Sequence, residues 1–398
     1  MIIIKICFLL LIIICAIFYI LYIWNFSLVL LVTIIAIPII MFFSLLIAKK
    51  KINVDFAVKS HTASKGEPFN VQLCITNNSF FPIGKAEAII EYYNIFNTQI
   101  NNIELHFPIQ SNNSQKITFQ LSSKFCGQLK IRCAYITIYD PLRIFKFKVG
   151  KNINENIAVL PEGHDIYGFV NQTNRINEES NIFSEFSSGD DPSEVFDLHE
   201  YIEGDRINRI HWKLSSKKDN FIVKDYSMPI DSPITIFLDI SYSEFSEYTL
   251  PIYDTLIESF VSLSQFLLQN ERIHTLIYYN QKQKQFNEIS ITDIDTLSAA
   301  INNLIFSFND DFYFEMPRTY FSSCNKESGF ASFTFITAVP DKNILSYIDD
   351  EIDSDVKNVI LVVKNYDSTE NISDNFASIN IMPVVIGKIS SSVRDIEL

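Results

Sequence analysis

Glycine is scarce in this chain, ten in 398 residues, and no glycine-rich phosphate-binding loop occurs among them. The same scarcity argues against a β-barrel, whose tight corners draw on glycine. There is no Gly-x-Ser-x-Gly elbow, no His-Glu-x-x-His helix and no Cys-x-x-Cys pair, so the common hydrolase, zinc-protease and dithiol chemistries lack their starting residues. Cys7 and Cys15 fall in the first apolar stretch, while Cys74, Cys126, Cys133 and Cys324 are scattered without metal-ligand spacing. Buried free thiols in a reducing compartment are the expectation, and sequons such as Asn77-Asn78-Ser79 then carry no sugar.

Charge is almost absent from the first 47 residues, which hold a single charged side chain, Lys5. Residues 1–23 and 27–47 are each about 20 apolar residues, enough at a helical rise to cross about 30 Å of hydrocarbon. Trp24-Asn25-Phe26 between them is a very short connection with aromatics suited to the headgroup level, so the two spans predict an antiparallel hairpin. A cleaved signal peptide is the competing reading. It is disfavoured by the length of the apolar run, the missing small-residue cleavage site and the second span that follows directly. Lys5 and Lys49-Lys50-Lys51 lie at the outer ends of the hairpin and none lies in its turn. By the positive-inside rule this multi-pass protein sits in the inner or plasma membrane with both termini cytosolic.

The chain carries a net charge of −14, and setting aside the four anchor lysines, Lys5 and Lys49 to Lys51, leaves −18. A surface so acidic repels nucleic acid and anionic lipid and points to protein partners or small cations. Four regions follow from the patterning. Residues 1–51 form the transmembrane hairpin. Residues 52–165 alternate apolar and polar side chains in short runs such as FNVQLCITNN and KAEAIIEYY, broken by turn residues, which predicts an antiparallel, Ig-like all-β sandwich. Residues 166–232 hold a linker, loop-like over 171–191, and then an unusual polar block. Over residues 233–398, strand-like runs such as ITIFLDIS and NVILVV alternate with helical patterns at 253–269, 295–306 and 343–352, which predicts a doubly wound α/β domain.

The polar block, residues 198–225, is a basic island in an acidic chain: Arg206, Arg209, His211, Lys213, Lys217, Lys218 and Lys224 cluster around the Gly204-Asp205 turn signal. Such an island suits an anion, a carboxylate or an acidic partner. The alternative is internal, with Glu203, Asp205 and Asp219 pairing the cations and Trp212 plugging a seam between domains. His211 alone is weak evidence for a metal or for acid–base work, because no second ligand has the spacing to join it.

The string EYIEGDRINRIHWKLSS, from Glu200 and Tyr201 through Trp212 and Lys213, with YDPLRIF at 139–145 before it and FIVKDY after it, resembles the signature of the bacterial family called domain of unknown function 58. The resemblance runs the length of the chain and implies two N-terminal spans, a β-rich domain and a C-terminal von Willebrand factor type A-like domain. It also implies a companion, a MoxR-type AAA+ ATPase, and with it an assembly or chaperone-like role at the membrane. His199 stands where that family usually has Arg, which removes a permanent charge from the block.

Asp239-Ile240-Ser241-Tyr242-Ser243, at the carboxyl end of the first α/β strand, resembles the first loop of a metal-ion-dependent adhesion site. A hard cation such as Mg2+ takes oxygen ligands, and open α/β sheets bind ligands outside the carboxyl ends of their strands. Asp239, Ser241 and Ser243 are therefore candidate ligands, with Thr292 or Thr296 before the second helix expected to supply a further hydroxyl. Thr337 stands where such a site normally has Asp, with Asp341 nearby as a substitute. The alternative is a capped strand end with no ion. The leading expectation is a membrane-anchored, non-enzymatic interaction or assembly-accessory protein whose cytosolic domains dock protein partners. A metal-free structural scaffold, or an enzyme built on the block around His211, are the alternatives.

Overall fold

The computed structural model describes residues 2–22, 24–97, 99–150, 152–170, 183–189, 195–202, 205, 209–218, 220–229, 234–241, 246–308, 319–320, 330–339, 341–365, 376 and 378–398. The chain divides into two units, Met1–Glu162 and Gly163–Leu398.

An apolar stretch without water must satisfy its amides internally, and the N-terminal unit begins with two helices, α1 (Ile2–Leu21) and α2 (Asn25–Lys51). Both are long and apolar enough to cross a membrane, by length and composition. Ser27 organises the turn between them, donating to the Trp24 carbonyl at 2.7 Å while its Oγ accepts from the Trp24 N–H at 3.2 Å. The 27 residues of α2 run about 40 Å, longer than about 30 Å of hydrocarbon. Protein covers the excess. Leu45 and Ala48 are buried in the core of the following β body, and the Phe42 ring meets those of Phe145 and Phe147 at 5.1 and 5.7 Å.

That body consists of β1 (Ile52–Val58), β2 (Thr62–Ser64), β3 (Phe69–Asn77), β4 (Ile83–Asn94), β5 (Asn101–Ile109), β6 (Asn113–Leu121), β7 (Gly127–Tyr139), β8 (Lys146–Val149) and β9 (Ile153–Leu160). One sheet has the order β1-β3-β6; the other has β2-β9-β7-β4-β5, with β8 also paired to β7. Period-2 alternation sends Val71, Leu73 and Ile75 of β3 into one core with Ala86, Ala88 and Ile90 of β4 and Ile131, Ile136 and Ile138 of β7. Asn77, with 0 % exposure, ties the β3 end to two loops: its Nδ2 donates to the carbonyls of Phe81 and Gln110 and its Oδ1 accepts from Ser79. Such a buried side chain offers no acceptor for a glycan.

The second unit comprises β10 (Tyr167–Phe169), β11 (Phe183–Gly189), β12 (Val195–Glu200), α3 (Trp212–Lys218), β13 (Ile222–Pro229), β14 (Ile234–Leu238), α4 (Thr249–Gln269), β15 (His274–Asn280), β16 (Gln285–Ile291), α5 (Ile294–Phe306), β17 (Phe330–Thr337), α6 (Lys342–Glu351), β18 (Ser354–Val363), β19 (Asn380–Val385), α7 (Ile389–Ser392) and β20 (Arg394–Glu397). Its main sheet has the order β16-β15-β14-β17-β18-β19, parallel throughout except for β16. Phe237, Phe333, Phe335 and Val359 share one core with Ile344, Leu345 and Ile348 of α6. Helix α4 is buried along most of its length, with Leu256, Ile257 and Phe260 among its buried apolar side chains.

Two local expectations are corrected. The stretch expected as a loop over 171–191 includes strand β11, which pairs with β13; residues 171–182 and 190–191 lie outside the described residues. Strand β16 was not anticipated, and it reverses the chain between β15 and α5. The block itself folds as a small antiparallel sheet, β11-β13-β12, with the short helix α3.

Candidate functional site

Strand order in the main sheet reverses between β14 and β17: β14 leads to β15 on one side, and β17 leads to β18 and β19 on the other. The connections therefore diverge at this point, and it is outside the carboxyl ends of strands at such a reversal that open α/β sheets bind ligands. Asp239 and Thr337 face each other there. The Asp239 N–H donates to the Ile336 carbonyl at 2.8 Å, and the Thr337 hydroxyl donates to Asp239 Oδ2 at 2.8 Å. Asp239 Oδ1 accepts from the Ser241 N–H at 3.0 Å.

The carboxylate is 4 % exposed. Burial pushes its pKa up, the hydrogen bonds from Ser241 and Thr337 pull it back, and the charge of Asp341 raises it again. Asp341 is near, but its Oδ1 accepts from the Asn343 N–H at 2.9 Å and so caps α6. All the donors are oxygen, the chemistry a hard divalent cation selects. Asp239, Ser241 and Thr337 would hold such an ion, with water completing the shell. Among the described residues no cluster of three or more His, Cys, Asp or Glu is arranged around a metal position.

Ser243 lies outside the described residues. Thr296 is corrected as a ligand. Because β16 runs antiparallel, Ile291 pairs with His274 at the amino end of β15, so the loop that follows returns to the amino edge of the sheet. At about 3.3 Å per residue that is well over 10 Å from the carboxyl edge. Thr296 instead completes a capping box on α5: its N–H donates to Asp293 Oδ1 at 2.7 Å and its Oγ1 accepts from the Asp293 N–H at 3.1 Å.

The basic block separates into roles. Gly204 and Arg206 lie outside the described residues. Asp205 accepts from the Ile202 N–H at 2.7 Å and meets His199 Nε2 at 3.2 Å; the backbone hydrogen bond, followed by His199, holds its carboxyl below the ordinary range. His211 caps α3, its Nδ1 accepting from the Leu214 N–H at 3.3 Å and its own N–H donating to Ile222. Glu200 accepts from Asn220 Nδ2 at 3.3 Å. Tyr201 and Trp212 flank the Phe221 ring at 6.5 and 6.1 Å, edge-on, and Trp212 is 61 % exposed rather than plugged into a core. Arg209 is half-buried and Lys213 exposed. The structure thus brings Asp239, Ser241, Thr337 and Asp341 together at one edge, and Tyr201, Trp212 and Lys213 around Phe221.

Two pairs escaped the sequence reading. His164 Nε2 meets Glu258 Oε2 at 2.9 Å on the buried face of α4, and Ser264 Oγ meets His274 Nε2 at 2.6 Å in the interior. The available signal was a charged residue inside the apolar run of α4, which needs a partner when buried.

No protein-family profile matches the chain, and no curated protein matches it. Among solved structures it is similar to the CARDB domain of a Pyrococcus furiosus protein in complex with di-metal ions, at 9 % identity over 27 % of this chain and 87 % of that one, with a TM-score of 0.21. It is similar also to a cohesin module from a Clostridium perfringens family 33 glycoside hydrolase, at 12 % identity over 27 % and 96 % of the two chains, with a TM-score of 0.20. A superoxide reductase (neelaredoxin) from Ignicoccus hospitalis matches at 16 % identity over 27 % and 79 %, with a TM-score of 0.19.

Proposed function

We propose that this chain is a membrane-anchored interaction or assembly-accessory protein that docks protein partners at the carboxyl edge of its α/β sheet, with both termini cytosolic. The observation that carries the proposal is Asp239, a buried carboxylate at the strand-order reversal, held by Ser241 and Thr337 at the place where such sheets bind ligands. The family resemblance supports reading the β body as Ig-like and the α/β unit as von Willebrand factor type A-like, and it supplies the partner class, a MoxR-type AAA+ ATPase. Mg2+, when bound at Asp239, supplies a positive centre for a partner carboxylate. Asp239, Ser241 and Thr337 would hold it. A second reading, a scaffold that binds no ion, is favoured by one fact: both Asp239 oxygens already accept hydrogen bonds.

Crosslinked pull-down of the full-length protein from membranes separates the readings. The proposal expects an AAA+ ATPase to be retained, to be lost when a chelator is added before the crosslinker, and to be lost with Asp239→Ala. Capture that survives both chelator and substitution supports the scaffold. Absence of any ATPase under crosslinking contradicts the partner class.

A further inference from the structure

The small sheet β11-β13-β12 and the helix α3 present an aromatic ridge. Phe221, the residue just before β13, is 56 % exposed at the sheet end, whereas Ile222 and Val223 that follow it are 3 % and 1 % exposed. Tyr201 lies across from Phe221, its N–H donating to the Phe221 carbonyl at 2.8 Å, and Trp212 approaches from the start of α3. Tyr201 is 39 %, Trp212 61 % and the adjacent Ile202 67 % exposed. Residues 209–218 beside the ridge contain Arg209, Lys213, Lys217 and Lys218 and no acidic residue. Lys213, Lys217 and Lys218 are all exposed, and none forms an ion pair among the described residues.

We infer that this ridge is a bilayer-contacting surface: Trp212, Phe221, Tyr201 and Ile202 enter the headgroup region while Lys213, Lys217 and Lys218 meet anionic lipid. Three observations select a bilayer over an acidic protein segment. Trp and Tyr combine an apolar body with a polar tip, which suits the interface between hydrocarbon and water. Among the described residues the exposed cations here are lysines, compact charges on flexible stems suited to diffuse headgroup attraction, rather than the arginine forks that grip carboxylates in fixed geometry. The hairpin helices α1 and α2 tether the chain to a membrane, so contact with the bilayer becomes an intramolecular event at high effective concentration. The net charge of −18 left when the four anchor lysines are set aside from −14 opposes approach to anionic lipid only at long range. Screening limits each exposed charge to about 10 Å, so the local basic face governs what the ridge meets.

The chain has two tryptophans, Trp24 and Trp212. The full-length Trp24→Phe protein, reconstituted in lipid nanodiscs, therefore reports on Trp212 alone. In nanodiscs containing phosphatidylglycerol and a brominated-chain lipid, Trp212 emission is expected to be quenched and blue-shifted. Phosphatidylcholine discs or high salt reduce the effect, and Lys213→Gln, Lys217→Gln and Lys218→Gln combined weaken the contact about tenfold or more, as expected for three lysines near an anionic surface. The difference in emission between the unsubstituted protein and Trp212→Phe reads the same signal without altering the hairpin turn. Emission indifferent to brominated lipid in anionic discs overturns the inference, as does a response to soluble polyglutamate in place of lipid, which assigns the ridge to an acidic protein partner.

Discussion

Burial pushes the Asp239 carboxyl above its ordinary range, and Thr337 and Ser241 only partly offset it. With its folded-state value above the unfolded one, this group's contribution to stability is full below the unfolded value of 3.8 and is lost as pH rises through the folded value. Asp239→Asn keeps the shape and removes that loss. We expect the full-length variant, in detergent at neutral pH without divalent cation, to melt at or above the unsubstituted protein, and Mg2+ to raise the melting temperature of the unsubstituted protein alone. His274 shows the opposite sign. Its Nδ1–H donates to the Arg272 carbonyl at 3.0 Å, Nε2 accepts from Ser264, and burial lowers its pKa from 6.5 to about 4. The folded state accepts only the neutral ring, so stability is complete above 6.5 and falls with pH down to about 4, by about 3 kcal/mol in all. His274→Gln should flatten that part of a stability–pH curve. An unchanged slope means that other groups set it.

At the scale of elements, the second unit is closed by a parallel pair: β10 lies against β20, and the Leu398 N–H donates to the Phe169 carbonyl at 2.9 Å. Gly168 permits that approach, since a Cβ there would sit 2.2 Å from the Ile396 carbonyl oxygen. Gly168→Ala should separate the pair, cost about 1–3 kcal/mol as overpacking does, and speed hydrogen exchange at Leu398; unchanged protection there contradicts the closure. The hairpin was legible because charge was missing, and β14 and β17 because ITIFL and FASFTFIT are nearly continuous apolar runs. Strand β16 was not, because QFNEISI mixes Gln, Asn and Glu with its apolar residues and borders solvent as an edge strand. That single missed reversal put Thr296 at the wrong edge. The sequence placed Asp239 and Ser241 by local spacing, whereas the Thr337 hydrogen bond joins residues 98 apart and depends on sheet order. The roles of His211 and Asp205 were hidden for the same reason, as each is decided by which backbone N–H its side chain meets.

For the whole molecule, two helices long and apolar enough to span a membrane precede a sheet-rich body whose α/β sheet has two unlike edges. The proposed orientation, with both termini cytosolic, predicts that protease added outside spheroplasts leaves the chain beyond residue 51 intact; its digestion contradicts that orientation. The central claim concerns the carboxyl edge. A photo-crosslinking amino acid placed in the full-length protein at Val339, whose N–H meets Thr337 Oγ1 at the carboxyl edge, is compared in living membranes with one at Thr292, near the opposite edge beyond β16. We expect a partner to be captured from Val339 and not from Thr292, with capture lost on Asp239→Ala. Equal capture from both positions, or capture from Thr292 alone, would contradict the carboxyl-edge site.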